Sequence, residues 1–193
     1  MDKFTDPLIE SISLCFGSQI GKTETERNMI GYALHQTVSP TMMVYPTDTI
    51  AKFASDKRVQ PMIRSVEPLA DMYDESSKLL ELDFVNGNYM VLAGANSPSS
   101  LSSRSIKYLF FDEIDKYPAF SGKEANPIKL AEERTKTFVD KKIVRVSTPT
   151  IESGNIWQSY MGANERKQYY VPCPHCGVSQ TLKFKQIKWP EEH

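Results

Sequence analysis

Y-L-F-F-D-E-I-D-K-Y-P, residues Tyr108–Pro118, is the stretch whose reading decides the fold. Four apolar residues, Tyr108 to Phe111, run straight into the acidic pair Asp112–Glu113. A continuous apolar run of this length predicts a strand buried on both faces, as in a parallel sheet covered by helices. Carboxylates at the carboxyl end of such a strand stand where open α/β sheets place their ligands. An acid like Asp112 suits a magnesium ion, and one like Glu113 suits the orientation or deprotonation of a water. Apolar runs ending in Asp-Glu also occur at ordinary strand ends, so the reading needs a partner motif.

That partner lies about ninety residues upstream. Ser11–Phe16 (S-I-S-L-C-F) is a short strand candidate that runs into Gly17, Ser18, Gln19, Ile20, Gly21, Lys22 and Thr23, and a helix is expected to follow. In that helix Ile30, Ala33, Leu34 and Thr37 mark one face, while Glu24, Glu26 and Arg27 are polar. Strand, glycine loop, G-K-T and helix together are the context that a phosphate-binding loop requires. Backbone N–H groups of the loop and the helix start would cradle phosphates, with Lys22 reaching the β- and γ-phosphates and the Thr23 hydroxyl on magnesium. The common loop has four residues between its first glycine and the G-K-T; here Gly17 leaves three, and Phe16 holds the expected glycine position.

The rest of the chain supplies the frame. Thr41–Tyr45 is a second strand ended by Pro46, after which Thr47 caps a helix whose Ile50, Phe53 and Ala54 share a face. Pro61 is expected to end or kink that helix. Residues 65–80 read as a polar, helix-containing connection. Leu82–Val85 and Tyr89–Ala93, separated by N-G-N, predict a hairpin. A loop rich in Gly, Ser and Asn, Gly94–Ser105, leads into the acidic strand, and Pro127–Phe138 is expected to be helical with Ile128, Ala131 and Phe138 towards the core. Lys142–Val146 is another strand, ending in Ser147-Thr148-Pro149-Thr150. Hydroxyls there suit sensing of a γ-phosphate or an attacking water, although Ser, Thr and Pro also favour plain turns.

Beyond residue 155 the character changes. Gln168–Val171 and Thr181–Phe184 are short strand candidates that flank Cys173-Pro174-His175-Cys176-Gly177, the shape of one half of a zinc ribbon. Tetrahedral zinc needs four ligands, and this segment offers Cys173 and Cys176, with His175 inside the knuckle and His193 further on. A knuckle without metal and a redox pair are the alternatives. Cys15, in the strand before the loop, reads as a core thiol.

Composition sets the outer bounds. A chain of 193 residues makes one domain with a substantial core but is short for two. Hydrophobic residues at 40% and charged ones at 24% are ordinary for a globular protein, and a net charge of −1 gives no independent argument for a nucleic-acid partner. No apolar stretch is long enough for a membrane span. Three cysteines do not make a disulfide framework. The short lead before Gly17 and the end of the chain soon after the C-x-x-C suggest a piece of something longer.

The order G-S-Q-I-G-K-T-E, V-Y-P-T-D, G-A-N-S-P-S-S-L, Y-L-F-F-D-E-I-D-K-Y-P, V-S-T-P-T and Y-Y-V-P-C-P-H-C-G resembles the GpA branch of the phage terminase large subunits, from about Ser11 to Trp189. Gln19 before the final G-K-T is a feature this branch tends to show. The resemblance implies a three-layer α/β P-loop ATPase of the additional-strand, catalytic-glutamate type with a mostly parallel sheet over residues 1–155. Residues 156–193 would be the start of a zinc-ribbon-like element. It implies ATP and magnesium as ligands, Lys22 and Thr23 at the phosphates, Asp112 on the metal, Glu113 as catalytic glutamate, and Ser147 and Thr148 in the motif that couples hydrolysis to movement. Arg104 and Arg134 are the candidates for an arginine finger, from the same or a neighbouring subunit. The implied partners are double-stranded DNA, a terminase small subunit, the procapsid portal and further copies of the chain, in the cytoplasm of a bacterial host. Of what the resemblance implies, the family's N-terminal segment is nearly absent from this sequence, and the nuclease domain and second C-x-x-C are missing from it. The rival reading is therefore an inactive prophage remnant that binds nucleotide or DNA without turnover. A helicase-type ATPase would need helicase motifs and a second RecA-like domain.

Overall fold

The computed structural model describes residues 2–121, 125–183, 186 and 188. The chain divides into two compact units, Met1–Tyr160 and Met161–His193. The first is built on a six-stranded sheet made of β1 (Ser11–Cys15), β2 (Thr41–Tyr45), β3 (Glu81–Asp83), β4 (Tyr89–Gly94), β5 (Tyr108–Asp112) and β6 (Lys142–Ser147). The strand order is β1-β6-β5-β2-β4-β3, and every pairing is parallel except the antiparallel β3–β4. The expected α/β fold with a mostly parallel sheet is therefore the observed one.

Strand alternation distributes the core between two layers. Met43, Tyr45, Tyr108, Phe110, Val144 and Val146 face one side. There they meet α1 (Asp2–Thr5), α2 (Lys22–Gln36), α3 (Asp48–Ala54), α4 (Gln60–Ser65) and α5 (Glu67–Ala70) through Phe4, Ile30, Ala51, Ile63 and Leu69. Met42, Val44, Leu109, Phe111 and Ile143 face the other. There they meet α6 (Pro98–Ser102), α7 (Pro127–Glu133) and α8 (Asn155–Met161) through Leu101, Ala131 and Ile156. The apolar run 108–111 is buried throughout because both faces of β5 are covered.

Several local expectations need correction. In α3 the buried positions are Ala51 and Ala54, while Ile50 and Phe53 are 43% and 54% exposed, with Arg58 stacked over the Phe53 ring. Pro61 neither ends nor breaks the helical run. A π-turn at Ser55–Val59 precedes it, with Gln60 N–H donating to Ser55 O, and this wider turn relieves the clash and missing donor that proline brings. The helix predicted to reach Phe138 stops at Glu133, where Arg134, Thr135 and Phe138 donate to carbonyls three residues back and the Thr135 hydroxyl donates to Glu132 O. Glu26, expected on the polar side of α2, is fully buried. The hairpin pairs Glu81–Asp83 with residues 89–91, and Gly87 turns it at φ +80°.

Two of the quoted motifs clasp one another at the carboxyl edge of the sheet. The Asp48 carboxylate accepts from Gly94 N–H at 2.9 Å, and Asn96 Oδ1 accepts from Asp48 N–H at 3.1 Å. A Cβ on Gly94 would stand 2.2 Å from the Asp48 backbone nitrogen. Gly94→Ala is therefore expected to cost about 3 kcal/mol, the upper range for forced overpacking, read as a lower urea midpoint at unchanged slope.

In the second unit a short antiparallel pair, β7 (Val171–Pro172) and β8 (Ser179–Gln180), flanks the cysteine knuckle. These strands are shorter than, and displaced from, the expected 168–171 and 181–184. Residues 181–183 carry no strand, and Phe184 lies outside the described residues, as do Trp189 and His193.

Candidate nucleotide site

The candidate site is assembled where β1, β6 and β5 end side by side. Register places Cys15 opposite Ser147 and Val146 opposite Asp112, so the residues that follow all three strands emerge at one edge. β6 thus stands between the strand that leads to the glycine loop and the strand that ends in the acids.

The loop 17–21 is exposed and turns twice through left-handed backbone, at Gln19 (φ 58°) and at Gly21 (φ 89°). Gly21 also precedes α2 without any side-chain cap, so the first N–H groups of the helix point outward unclaimed by a capping side chain. Lys22 opens the helix. Its ammonium donates to Glu113 Oε1 and, at 3.1 Å, to the Thr148 hydroxyl. The loop, the acidic strand end and the Ser147–Thr148 turn are thereby joined through one cation.

Glu113 is itself in the left-handed region (φ 54°, ψ 44°), a conformation that costs a non-glycine residue roughly 1–2 kcal/mol. It breaks the strand and swings the carboxylate from the line of β5 towards Lys22. Lys116 Nζ pairs with the other carboxylate oxygen at 3.1 Å. Burial alone would raise the pKa of Glu113, but the hydrogen bonds from Lys22 and Lys116 outweigh it and hold the carboxyl below its usual range. Asp112 moves the other way. Burial, followed by the charge of Glu113, pushes its carboxyl above the usual range against the pull of Lys22. Its Oδ1 is buried with no hydrogen-bond partner.

Two acids went unread in the sequence. Asp115 ties the acidic strand end to the segment after β6: Oδ1 accepts from Ile156 N–H at 2.7 Å, and Oδ2 accepts from the Thr150 N–H at 3.3 Å and hydroxyl at 3.4 Å. Asn155 Nδ2 donates to Ile114 O at 3.2 Å, and the Asp115 N–H donates to Ser147 Oγ at 3.4 Å. Gly154 is required here, because a Cβ would stand 2.5 Å from Asp115 Oδ2. Only the D-E-I-D spacing hinted at this role. Asp115→Ala is expected to cost about 2 kcal/mol, the range for hydrogen bonds to a charged group, seen as faster amide exchange at Thr150 and Ile156.

The second is Glu26. Burial first, then the Asp112 charge, pushes its carboxyl well above the usual range; Lys22 opposes this and Glu113 adds to it. The signal was present in the spacing, since Glu26 starts the stripe that continues through Met29, Ile30, Ala33 and Leu34.

The two candidate arginines lie elsewhere. Arg104 donates to Glu81 at 2.8 Å and stacks on the Tyr89 ring, and Arg134 donates to Ser102 O at 3.3 Å. Arg134 O also accepts from Ile106 N–H, which places both arginines by the amino-terminal end of β5, a strand length from Glu113. Cys15 is a partly buried thiol kept protonated by burial and by the Asp115 charge.

At the knuckle, Cys173 N–H donates to Val178 O at 2.9 Å, Gly177 N–H donates to Cys173 O at 2.8 Å, and Gly177 turns at φ +71°. Backbone N–H groups of Cys176 and His175, then the Cys176 side chain, lower the pKa of Cys173 below the usual thiol range. Among the described residues no group of three His, Cys, Asp or Glu side chains could hold a metal ion, so the described residues of this segment do not by themselves complete a zinc site.

Known proteins are similar to this chain in sequence and in fold. The chain is 26% identical over 193 residues to the terminase large subunit of Enterobacteria phage P21 and 23% identical over 197 residues to that of Escherichia phage lambda. These matches take in 95% and 98% of this chain but only 30% and 31% of the relatives' own length. Among solved structures, the large terminase ATPase domain of Thermus phage P74-26 superposes with a TM-score of 0.62 at 18% identity, over 89% of this chain and 72% of that one. The HK97 bacteriophage large terminase superposes with a TM-score of 0.62 at 12% identity, over 79% and 32%. The large terminase of bacteriophage D6E in complex with ATP-gamma-S gives 0.51 at 18%, over 78% and 35%. The family model for the phage terminase large subunit gpA, ATPase domain, matches residues 1–193, and the chain belongs to that family.

Proposed function

We propose that this chain hydrolyses ATP as the motor portion of a terminase large subunit that drives double-stranded DNA into a capsid. The observation that supports it most is the meeting of Lys22, Glu113 and Thr148 at one sheet edge beside an uncapped helix start. A triphosphate seated on the loop 17–23 would be held by loop N–H groups and would draw the Lys22 ammonium onto its β- and γ-oxygens. Glu113, released from Lys22, would orient a water for in-line attack on the γ-phosphorus and take its proton as the bond to the leaving ADP breaks. Ser147 and Thr148 stand where the changed charge at the γ-position would be felt.

The unpartnered Asp112 Oδ1 fits magnesium, with the Thr23 hydroxyl as the other contact. Magnesium there would neutralise charge on the phosphate oxygens. Cys173 and Cys176 would bind zinc when a second pair of ligands joins them. Partners in this reading are DNA, a terminase small subunit, the procapsid portal and further copies of the chain in the host cytoplasm. No helix among the described residues is long and apolar enough to cross a membrane.

The test is phosphate release by the purified protein with and without double-stranded DNA, alongside Lys22→Ala. Magnesium-dependent turnover is expected, and Lys22→Ala should abolish it and weaken nucleotide binding. Nucleotide binding that depends on Lys22 but never leads to turnover, with or without DNA and further copies, would replace the motor reading with that of a binding remnant.

A further inference from the structure

We infer that Glu26 is a positioning carboxylate of the divalent-cation site, acting through Asp112; the inference rests on the ATPase reading above. Glu26 has no exposed surface, and neither of its carboxylate oxygens has a hydrogen-bond partner among the described residues. Natural proteins rarely leave a carboxylate in that state, because burial without a partner is costly. It lies three residues after Thr23 and four after Lys22 on α2, hence on the same helix face as both. Asp112, the other buried acid of the site, also carries an unpartnered oxygen.

The cations nearest in sequence are spoken for. Arg27 Nη1 pairs with Glu24 at 2.7 Å, and the Lys22 ammonium is held by Glu113 and Thr148. The positive charge that would satisfy Glu26 is thus not supplied by these side chains. It would arrive with the nucleotide as a hydrated divalent ion, which Asp112 Oδ1 would hold and whose bound waters are the donors that Glu26 lacks. No three acids, histidines or cysteines among the described residues converge tightly enough to ligate a metal directly, which puts Glu26 at one remove from the ion.

A carboxylate kept for this purpose has a distinctive signature: it weakens the empty protein and strengthens the loaded one. Glu26→Gln keeps the shape and removes the ionisable carboxyl, and Glu26→Met keeps the volume. The experiment titrates Mn²⁺ by electron paramagnetic resonance into the full chain saturated with a non-hydrolysable ATP analogue, and records the melting temperature without nucleotide. For Glu26→Gln, Mn²⁺ affinity is expected to fall about 10–100-fold, the usual loss when a residue behind a metal ligand is removed. The nucleotide-free melting temperature of both variants is expected to match or exceed wild type. Unchanged Mn²⁺ affinity, or a lower melting temperature in both variants, would overturn the inference and leave Glu26 as part of the scaffold. If the wild-type chain itself bound no Mn²⁺ with the analogue, the ATPase reading would fall, and the role of Glu26 with it.

Discussion

Glu113→Gln is expected to lower ATP turnover by about 10²–10⁴-fold, the usual contribution of a positioned general base, while nucleotide binding is kept or tightened. The reason is the ion pair. Before nucleotide arrives, the Lys22 ammonium is shared between Glu113 and Thr148, so phosphate must compete with a carboxylate for it. An amide keeps the shape of the glutamate but not its charge, which leaves the lysine freer for the γ-phosphate. The same pair makes Glu113 a poor base at rest, since Lys22 and Lys116 together hold its carboxyl below the usual range. Transfer of Lys22 to the phosphate strips away one of those two cations, and the glutamate gains basicity when the substrate is in place. Fluorescent-nucleotide titration and single-turnover hydrolysis separate the two effects. Equal loss of binding in Glu113→Gln and Lys22→Ala would contradict these roles.

Assembly should matter as much. An arginine finger is typically worth about 10³–10⁵ in rate, and both candidates stand by the amino-terminal end of β5, engaged with Glu81, Tyr89 and Ser102. Neither has a contact with Lys22 or Glu113 in its own chain. The rate per subunit is therefore expected to rise by up to that factor as copies associate or dock on a portal. Mixtures of Glu113→Gln subunits with Arg104→Ala or Arg134→Ala subunits would show which arginine crosses the interface. A rate that is already fast and flat over a wide concentration range would mean that the cation is supplied within one chain.

How much of this was legible in the sequence follows from how local each signal is. The run 108–111 and the G-K-T carry their meaning in a few adjacent residues, so the buried strand and the loop were readable. Strand order was not: nothing in Lys142–Ser147 by itself says that it inserts between β1 and β5. In α3 the periodicity that favoured Ile50 and Phe53 was outvoted by the sheet, which accommodates Ala51 and Ala54 instead. Glu26 and Asp115 were missed for a common reason. A carboxylate on a helix or in a loop reads as a solvated charge unless tertiary contacts bury it or give it backbone N–H groups to accept from, and those contacts come from segments distant in the chain. The Gly94–Asp48 clasp was hidden likewise, although both halves were recognised as motifs.

The insertion of β6 between β1 and β5 has a consequence for the order in which a ribosome delivers the parts. The glycine loop is made early and the acidic pair much later, yet the two are not neighbours in the sheet and have no backbone ladder of their own. They are brought into register only when residues 142–147 pair with both, and Thr148, the second contact of Lys22 beside Glu113, follows immediately. A nascent chain shorter than this has the loop but not the site. The closing of the sheet by β6, whose pairings with β1 and β5 are both long-range, should therefore be the slow, late event. Until then the flanks of β1 and β5 that β6 will occupy are open strand edges, the surfaces most exposed to mispairing and to chaperones.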